Sequence, residues 1–347
     1  MNYMNSTSNT VKEPARYVDL AVNQAPQMLD QPVDDHRAWL GADINPPDCK
    51  ITLSQAELSE LQSIARQIEL NPLPALLREA SQFKMSLLPG FMNRVKTRLD
   101  SQRGVAVIDA LPLDEMDQET AVALHWILGR FIGRQVAQKW DGTMLYSVRD
   151  SGKKYEYGVR GSHTNVELMF HNDNAFGISP PDYVGLLCFQ PALEGGISRF
   201  CSLYSIHNKL LKDFPQALRR LYQPVLWDRQ AEHTPDAPKV TRAPVFSFNG
   251  EQLIGRVNVS LIRKGYDVAE TELDAETSDA LAALKTVGDD PSLWFELPIE
   301  RGHIQYLSNT SIVHYRSEFT DNPNPALKRH LVRTWHRDFA SPTYDGI

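Results

Sequence analysis

From Trp140 onward the chain is a succession of short apolar runs, MLYSV, VELMF, YVGLLCF, ISRFCSL, PVFSF, IGRVNVS, SLWFEL, IQYL, SIVHY and HLVRTW, punctuated by Gly, Pro, Asn and Asp. Many short strands with turn signals between them argue for a sandwich or barrel. One amphipathic stretch near 273–287, TSDALAALKTV within it, reads as a helix inserted between strands. The N-terminal third reads differently. Residues 1–33 are polar and aperiodic and read as a flexible leader. Ser54 followed by Glu57 is a capping-box signature, and Leu58, Leu61, Ile64, Ala65 and Ile68 recur behind it at helical spacing as far as Pro72. Residues 83–102 predict a second helix, interrupted around Pro89-Gly90. GVAVIDALP (104–112) predicts a buried strand, and a helix follows over 117–133 with Leu124, Ile127, Leu128 and Phe131 inward. The expectation is a β-rich α+β fold in one domain over 34–347. It has a helical part at about 50–133, a sheet core at about 104–338 and a helical insert near 270–288.

Charge narrows the partners. The 347 residues carry a formal net charge of -7 with no Lys/Arg run, so there is no electrostatic footprint for nucleic acid or an anionic membrane. No apolar run approaches the ~20 residues a membrane span needs, and the N-terminus has no signal-like apolar region. Cys49, Cys188 and Cys201 form no CxxC and no even set, which fits a reducing cytoplasm. Cys188 and Cys201 read as buried thiols. The partner expected is a small molecule; the sequence is silent on oligomeric state.

The strongest chemical signal is FHND at 170–173. His171 and Asp173 stand two apart on a strand-like run, where alternation puts both side chains on one face. An imidazole and a carboxylate so placed can share one ion. His314, in SNTSIVHYRSEF, is the best third ligand. Two His and one carboxylate make the facial set of non-haem Fe(II) oxygenases, with three positions left for a 2-oxo acid and O2. An HxD alone is a weak signal. A second feature supports it: in KRHLVRTWH, Arg329 and Arg333 share one strand face. Two guanidinium groups on an apolar strand need anionic partners. The distal carboxylate of 2-oxoglutarate suits such a planar fork; an internal ion pair, for example to Asp182 or Glu296, is the alternative.

With these residues assembled, the chain resembles the taurine dioxygenase/clavaminate synthase-like family of Fe(II)/2-oxoglutarate oxygenases over about residues 100–338. FHNDNAFGISPPDYVGLLCFQPALEGGISRFCSLYSIHN is the most similar segment, and His314 followed by Arg329 fits the family's spacing. DHRAWLGADI (35–44) is similar to N-terminal segments of the clavaminate synthase-like branch. The resemblance implies a double-stranded β-helix, or jelly roll, with helices packed on it. It implies His171, Asp173 and His314 as iron ligands, Arg329 as anchor of the 2-oxoglutarate distal carboxylate, Ser198 as its hydroxyl partner, and Arg333 as facing the substrate. Two departures stand out: Asn172 sits where many relatives have Thr, and YLSNTSIVH replaces a Trp-Asp-Asn element. Asp173, being a carboxylate, argues against a halogenase.

Such chemistry couples decarboxylation of 2-oxoglutarate to oxidation of an unactivated C–H bond, so the protein's task is positioning and exclusion of water. Strand parity places Asn165, Glu167 and Met169 on the face of His171; Asn165 and Glu167 could bind an amine or hydroxyl. Arg333 could read a carboxylate or sulfonate. Arg160 and His163, with Gly158 and Gly161, could belong to a lid that touches substrate. His125, His207, His303, His330 and His336 read as structural. The function expected is hydroxylation of a small amino acid or amino-acid-derived metabolite in secondary metabolism, with succinate and CO2 as co-products. Desaturation or cyclisation would use the same ligands, and a catalytically silent small-ligand binding protein on the same fold is the rival from another class.

Overall fold

The computed structural model describes residues 16–21, 27–101, 103–154 and 158–341. Eleven strands build two sheets: Lys50–Thr52 (β1), Val105–Asp109 (β2), Arg134–Val136 (β3), Tyr146–Val148 (β4), Leu168–His171 (β5), Tyr183–Gln190 (β6), Ser198–Ser202 (β7), Trp294–Leu297 (β8), Ile304–Ser308 (β9), Ile312–Arg316 (β10) and His330–Arg337 (β11). The larger sheet runs β1-β2-β9-β6-β11-β3, with β4 also paired to β11; the smaller runs β8-β7-β10-β5. Pairing is antiparallel except between β1 and β2. The non-consecutive order is that of a double-stranded β-helix. Among the described residues no strand pair joins the sheets, so they are two facing layers and not a closed barrel. Val184, Phe200, Leu307, Ile312 and Trp335 fill the space between the layers.

Three helices, Gln55–Leu70 (α1), Leu88–Ser101 (α2) and Gln118–Gly129 (α3), cover the outer face of the larger sheet through a second apolar cluster. The capping box of α1 is present: the Glu57 carboxylate accepts from Ser54 N at 2.8 Å, and Ser54 Oγ accepts from Glu57 N at 3.3 Å. Pro89-Gly90 does not interrupt α2, as the sequence suggested, but lies in its first turn, where a missing N–H costs nothing. The Glu60 carboxylate accepts there from Ser86 N and Leu88 N, at 2.6 and 2.7 Å.

The outer face of the smaller sheet is covered by the segment between β7 and β8. It carries Leu203–Asp213 (α4), Pro215–Leu221 (α5), Val259–Val268 (α6) and Ala275–Gly288 (α7) with short strands of its own. IGRVNVS was expected to be a strand. It is one only as far as Gly255; Asn258 Oδ1 then accepts from Leu261 N and starts α6. The leader expectation also needs correction where the chain is described: Val18–Asp19 pairs in parallel with Val240–Pro244, and Asn208 grips both the N–H and the C=O of Val33, at 2.9 and 2.6 Å. Among the described residues no helix is long and apolar enough to cross a membrane.

Candidate metal centre and its surroundings

His171 and His314 are register partners on β5 and β10, so antiparallel pairing sets their rings side by side, centroids 4.2 Å apart. The strand ends at His171. Asp173 therefore reaches the site from a turn and not by strand alternation, with Asn174 in the left-handed region at φ 55°. Two asparagines staple that turn. Asn172 donates to Asn309 O and Ile312 O, and exchanges hydrogen bonds with Val257 through both its backbone and its side chain. Asn309 accepts from Asp173 N at 2.8 Å and donates to Asp173 O at 3.0 Å. The two departures noted from the relatives' pattern, Asn172 and the SNTS stretch, thus meet at this turn.

Asp173 Oδ1 lies 3.7 Å from Nε2 of both His171 and His314, and one donor atom from each of the three residues falls within 4.8 Å of the others. Asp173 Oδ2 is occupied elsewhere: it accepts from Arg333 Nη1 at 2.9 Å and Trp335 Nε1 at 2.7 Å. His171 Nδ1 sits 2.7 Å from Met169 O, which places the proton on Nδ1 and frees Nε2 as a lone-pair donor. Burial, and then the neighbouring His171, holds the His314 imidazole down to about 3. Burial pushes Asp173 upward, but Arg333, the two imidazoles and the Trp335 N–H outweigh it and bring the carboxyl to about 2. At neutral pH the trio is one anion and two neutral imidazoles, their donor atoms gathered within 4.8 Å of one another. That donor set, two imidazoles and a carboxylate, suits a divalent ion.

Arg333 does not stand unpaired. Besides Asp173 it donates from Nε to Gln138 Oε1 at 2.8 Å, and its guanidinium lies 4.9 Å from the ring centres of Tyr146 and Trp335. The electrostatic demand that pointed to a substrate anion is met inside the protein, by neither Asp182 nor Glu296 but by Asp173. Arg329 is the opposite case. It is buried; among the described residues it makes no ion pair and its Nη1 has no hydrogen-bond partner, and burial lowers its guanidinium to about 10. Gly196, at φ +66°, passes close to it: a Cβ there would lie 3.3 Å from Arg329 Nε. Ser198 follows at the start of β7.

A cleft opens beside the trio, walled by Arg160, Glu167, Met169, Gln230, Asn258 and Ser260. Glu167 accepts from the Tyr315 hydroxyl. Arg160 pairs with Glu232 at 2.7 Å and donates to Gln138 O at 2.9 Å, which ties down the segment expected to be a lid. Asn165 is not brought to the cleft: its amide donates to Phe319 O, because the strand on which parity was counted begins only at Leu168. Gln230, Asn258 and Ser260 come from the segment between β7 and β8 and carried no sequence signal; Trp335, two residues after Arg333, followed the same parity rule and could have been found. The five histidines read as structural are engaged as such, for example His207 with Tyr222 at 2.8 Å and His336 with Thr334 at 2.8 Å.

The chain is similar to "FR-33289 synthase" of Streptomyces rubellomurinus (strain ATCC 31215), 24% identical over 89% of this chain and 91% of that protein. It is also similar to "Taurine hydroxylase-like protein SAT17" of Stachybotrys chartarum (strain CBS 109288 / IBT 7711), 26% identical over 88% and 80%. Among solved structures, asparagine oxygenase with Fe(II), 2S,3S-3-hydroxyasparagine and succinate superposes with a TM-score of 0.62 at 18% identity, covering 83% of this chain and 93% of that one. The non-heme iron oxygenase OrfP with Fe, succinate and (3R,4R)-dihydroxy-L-Arg gives 0.59 at 15%, covering 86% and 99%. These two likenesses establish the jelly-roll fold. The sequence model of the family described as "Taurine catabolism dioxygenase TauD, TfdA family" matches residues 85–335, from α2 through β11, and to that family of dioxygenases the chain belongs.

Proposed function

We propose that the protein is a non-haem Fe(II) and 2-oxoglutarate-dependent oxygenase that hydroxylates a C–H bond of a small amino acid or amino-acid-derived metabolite. The observation that carries the reading is the preassembled trio of His171, Asp173 and His314, opening on a cleft, in a fold that also buries the unpaired Arg329. The trio would hold Fe(II), which when bound supplies the activation of O2. Arg329 would take the distal carboxylate of 2-oxoglutarate and Ser198 would add a hydroxyl donor. Arg333 and Trp335 act through Asp173: they saturate its outer oxygen and fix the direction of the inner one. On the substrate side, Glu167 offers a negative end for an amine, while Gln230, Asn258 and Ser260 offer neutral hydrogen bonds. Arg160, neutralised by Glu232, shapes the wall. The hydroxylated asparagine and arginine bound by the structural relatives support a substrate of this kind, and a relative that is a synthase supports a place in secondary metabolism. The three free thiols are all buried, which fits a cytoplasmic location.

The test is anaerobic loading with Fe(II) and 2-oxoglutarate, exposure to O2 with a panel of free amino acids and their derivatives, and measurement of succinate and product mass. Wild type should form succinate coupled to a product 16 Da heavier, ~16 Da being the mass of one inserted oxygen atom. His171→Ala, Asp173→Ala and His314→Ala should each lose turnover while keeping the wild-type circular dichroism spectrum. A His314→Ala protein of full activity would sink the assignment.

A further inference from the structure

Two residues beyond His314, β10 carries a second buried guanidinium. Arg316 is 6% exposed. Its Nη2 donates to Thr164 O, at 3.0 Å, and to Val166 O, yet among the described residues Nε and Nη1 have no hydrogen-bond partner and no carboxylate lies within ion-pair distance. Arg329 is in the same condition at Nη1. Both guanidinium groups lie against the ring of Phe319, 4.8 and 5.1 Å from its centre. Alternation fixes where Arg316 points. Ile312 and Phe200 fill the space between the sheets; Arg316 shares the face of Ile312, Ser198 shares the face of Phe200, and Arg316 and Ser198 are register partners. The pairing of β10 with β7 keeps one register from Ile312 to Arg316, so the alternation holds there, and the irregularity between His314 and Arg316 lies on the β5 side.

Two buried cations with three unpartnered nitrogens, and with Asp150 and Asp321 acting on them only from beyond ion-pair distance, are costly unless an anion completes them. The geometry points to Arg316 as a second arm of the site that grips the distal carboxylate of 2-oxoglutarate, acting with Arg329 and Ser198. The inference rests on the reading above. A carboxylate has about four lone-pair sites, enough to accept from both guanidinium groups and the Ser198 hydroxyl at once. The strand that supplies His314 to the metal therefore also supplies a clamp for the far end of the co-substrate.

The experiment is calorimetric titration of the full chain, loaded with Mn(II), with 2-oxoglutarate and with 2-oxopentanoate, which replaces the distal carboxylate by a methyl group. The ratio of the two affinities reads recognition of that carboxylate and is insensitive to general loosening. Arg316→Met should lower the ratio by about tenfold or more, the loss of a charge-assisted arm. Arg316→Lys, which keeps a cation able to reach Thr164 O and Val166 O, should lower it less, and it decides the matter if the Met variant does not fold. Arg329→Leu is the control. If both Arg316 variants keep the wild-type ratio while Arg329→Leu loses it, Arg316 is only a staple for Thr164 and Val166 and the inference fails. If wild type itself shows no preference for 2-oxoglutarate, the proposed function fails with it.

Discussion

Replacing Arg333 by Met tests how the trio is held together before any metal arrives. In the protein as described, Asp173 is an almost fully buried carboxylate, with two neutral imidazoles on its inner side and Arg333 and Trp335 on its outer side. Arg333→Met keeps most of the volume and removes the cation, leaving a buried anion with one N–H donor. Breaking one partner of a buried pair costs about 3–5 kcal/mol. At ~2.1 cal/mol/K of unfolding entropy per residue, the 347-residue chain loses ~0.7 kcal/mol of stability per degree at its midpoint, so the metal-free variant should melt about 4–7 °C below wild type. A divalent ion supplies the missing positive charge from the other side of the carboxylate. Mn(II) should therefore raise the melting temperature of the variant by more than it raises that of wild type. The assay is differential scanning calorimetry of both proteins, chelated and with saturating Mn(II). A metal-free variant melting within a degree or so of wild type would show that Asp173 does not depend on Arg333; equal metal-induced shifts in the two proteins would refute the coupling.

Two further outcomes follow from neighbouring contacts. Trp335→Phe removes only the N–H at 2.7 Å from Asp173 Oδ2 and should cost about 1.5–3 kcal/mol, the worth of a hydrogen bond to a charged group, seen in chemical denaturation of the metal-free protein; an unchanged midpoint would contradict it. Gly196→Ala forces a Cβ onto a backbone at φ +66° and against Arg329 Nε at 3.3 Å. It should destabilise by about 1–2 kcal/mol and weaken 2-oxoglutarate binding in calorimetry, and a variant that binds 2-oxoglutarate as wild type does would show that Arg329 tolerates displacement.

The sequence was most legible where one element decides its own structure. The α1 capping box and the apolar runs of β2, β6, β9 and β11 read correctly because period, cap and turn chemistry are local. His171 and Asp173 were brought together for a reason that does not hold: strand alternation was expected, whereas the strand stops and a turn held by Asn172 and Asn309 delivers the carboxylate. The same overextended strand misplaced Asn165. Arg333 lines the cleft beside the trio, but the anion that pairs with it was missed through distance in sequence. Its partner lies 160 positions away, and nothing on β11 announces that the anion it meets is one of the prospective ligands. Arg316 could have been noticed as a charge on an apolar run two residues past His314, but only the structure shows its nitrogens without partners. IGRVNVS became a helix start because Asn258 caps, a signal that a β-rich reading of the region overrode.

The segment between β7 and β8 has its own short strands, four helices and an apolar cluster, and it contributes Gln230, Asn258 and Ser260 to one wall of the cleft. The trio, Arg316, Arg329 and Arg333 all come from the two sheets or the turn beside them. The inserted segment thus supplies one wall of the cleft, while Glu167 and Met169, at β5, stand on the core side of it. Changes confined to the inserted part would reshape that wall and leave the metal-binding trio and its arginines untouched.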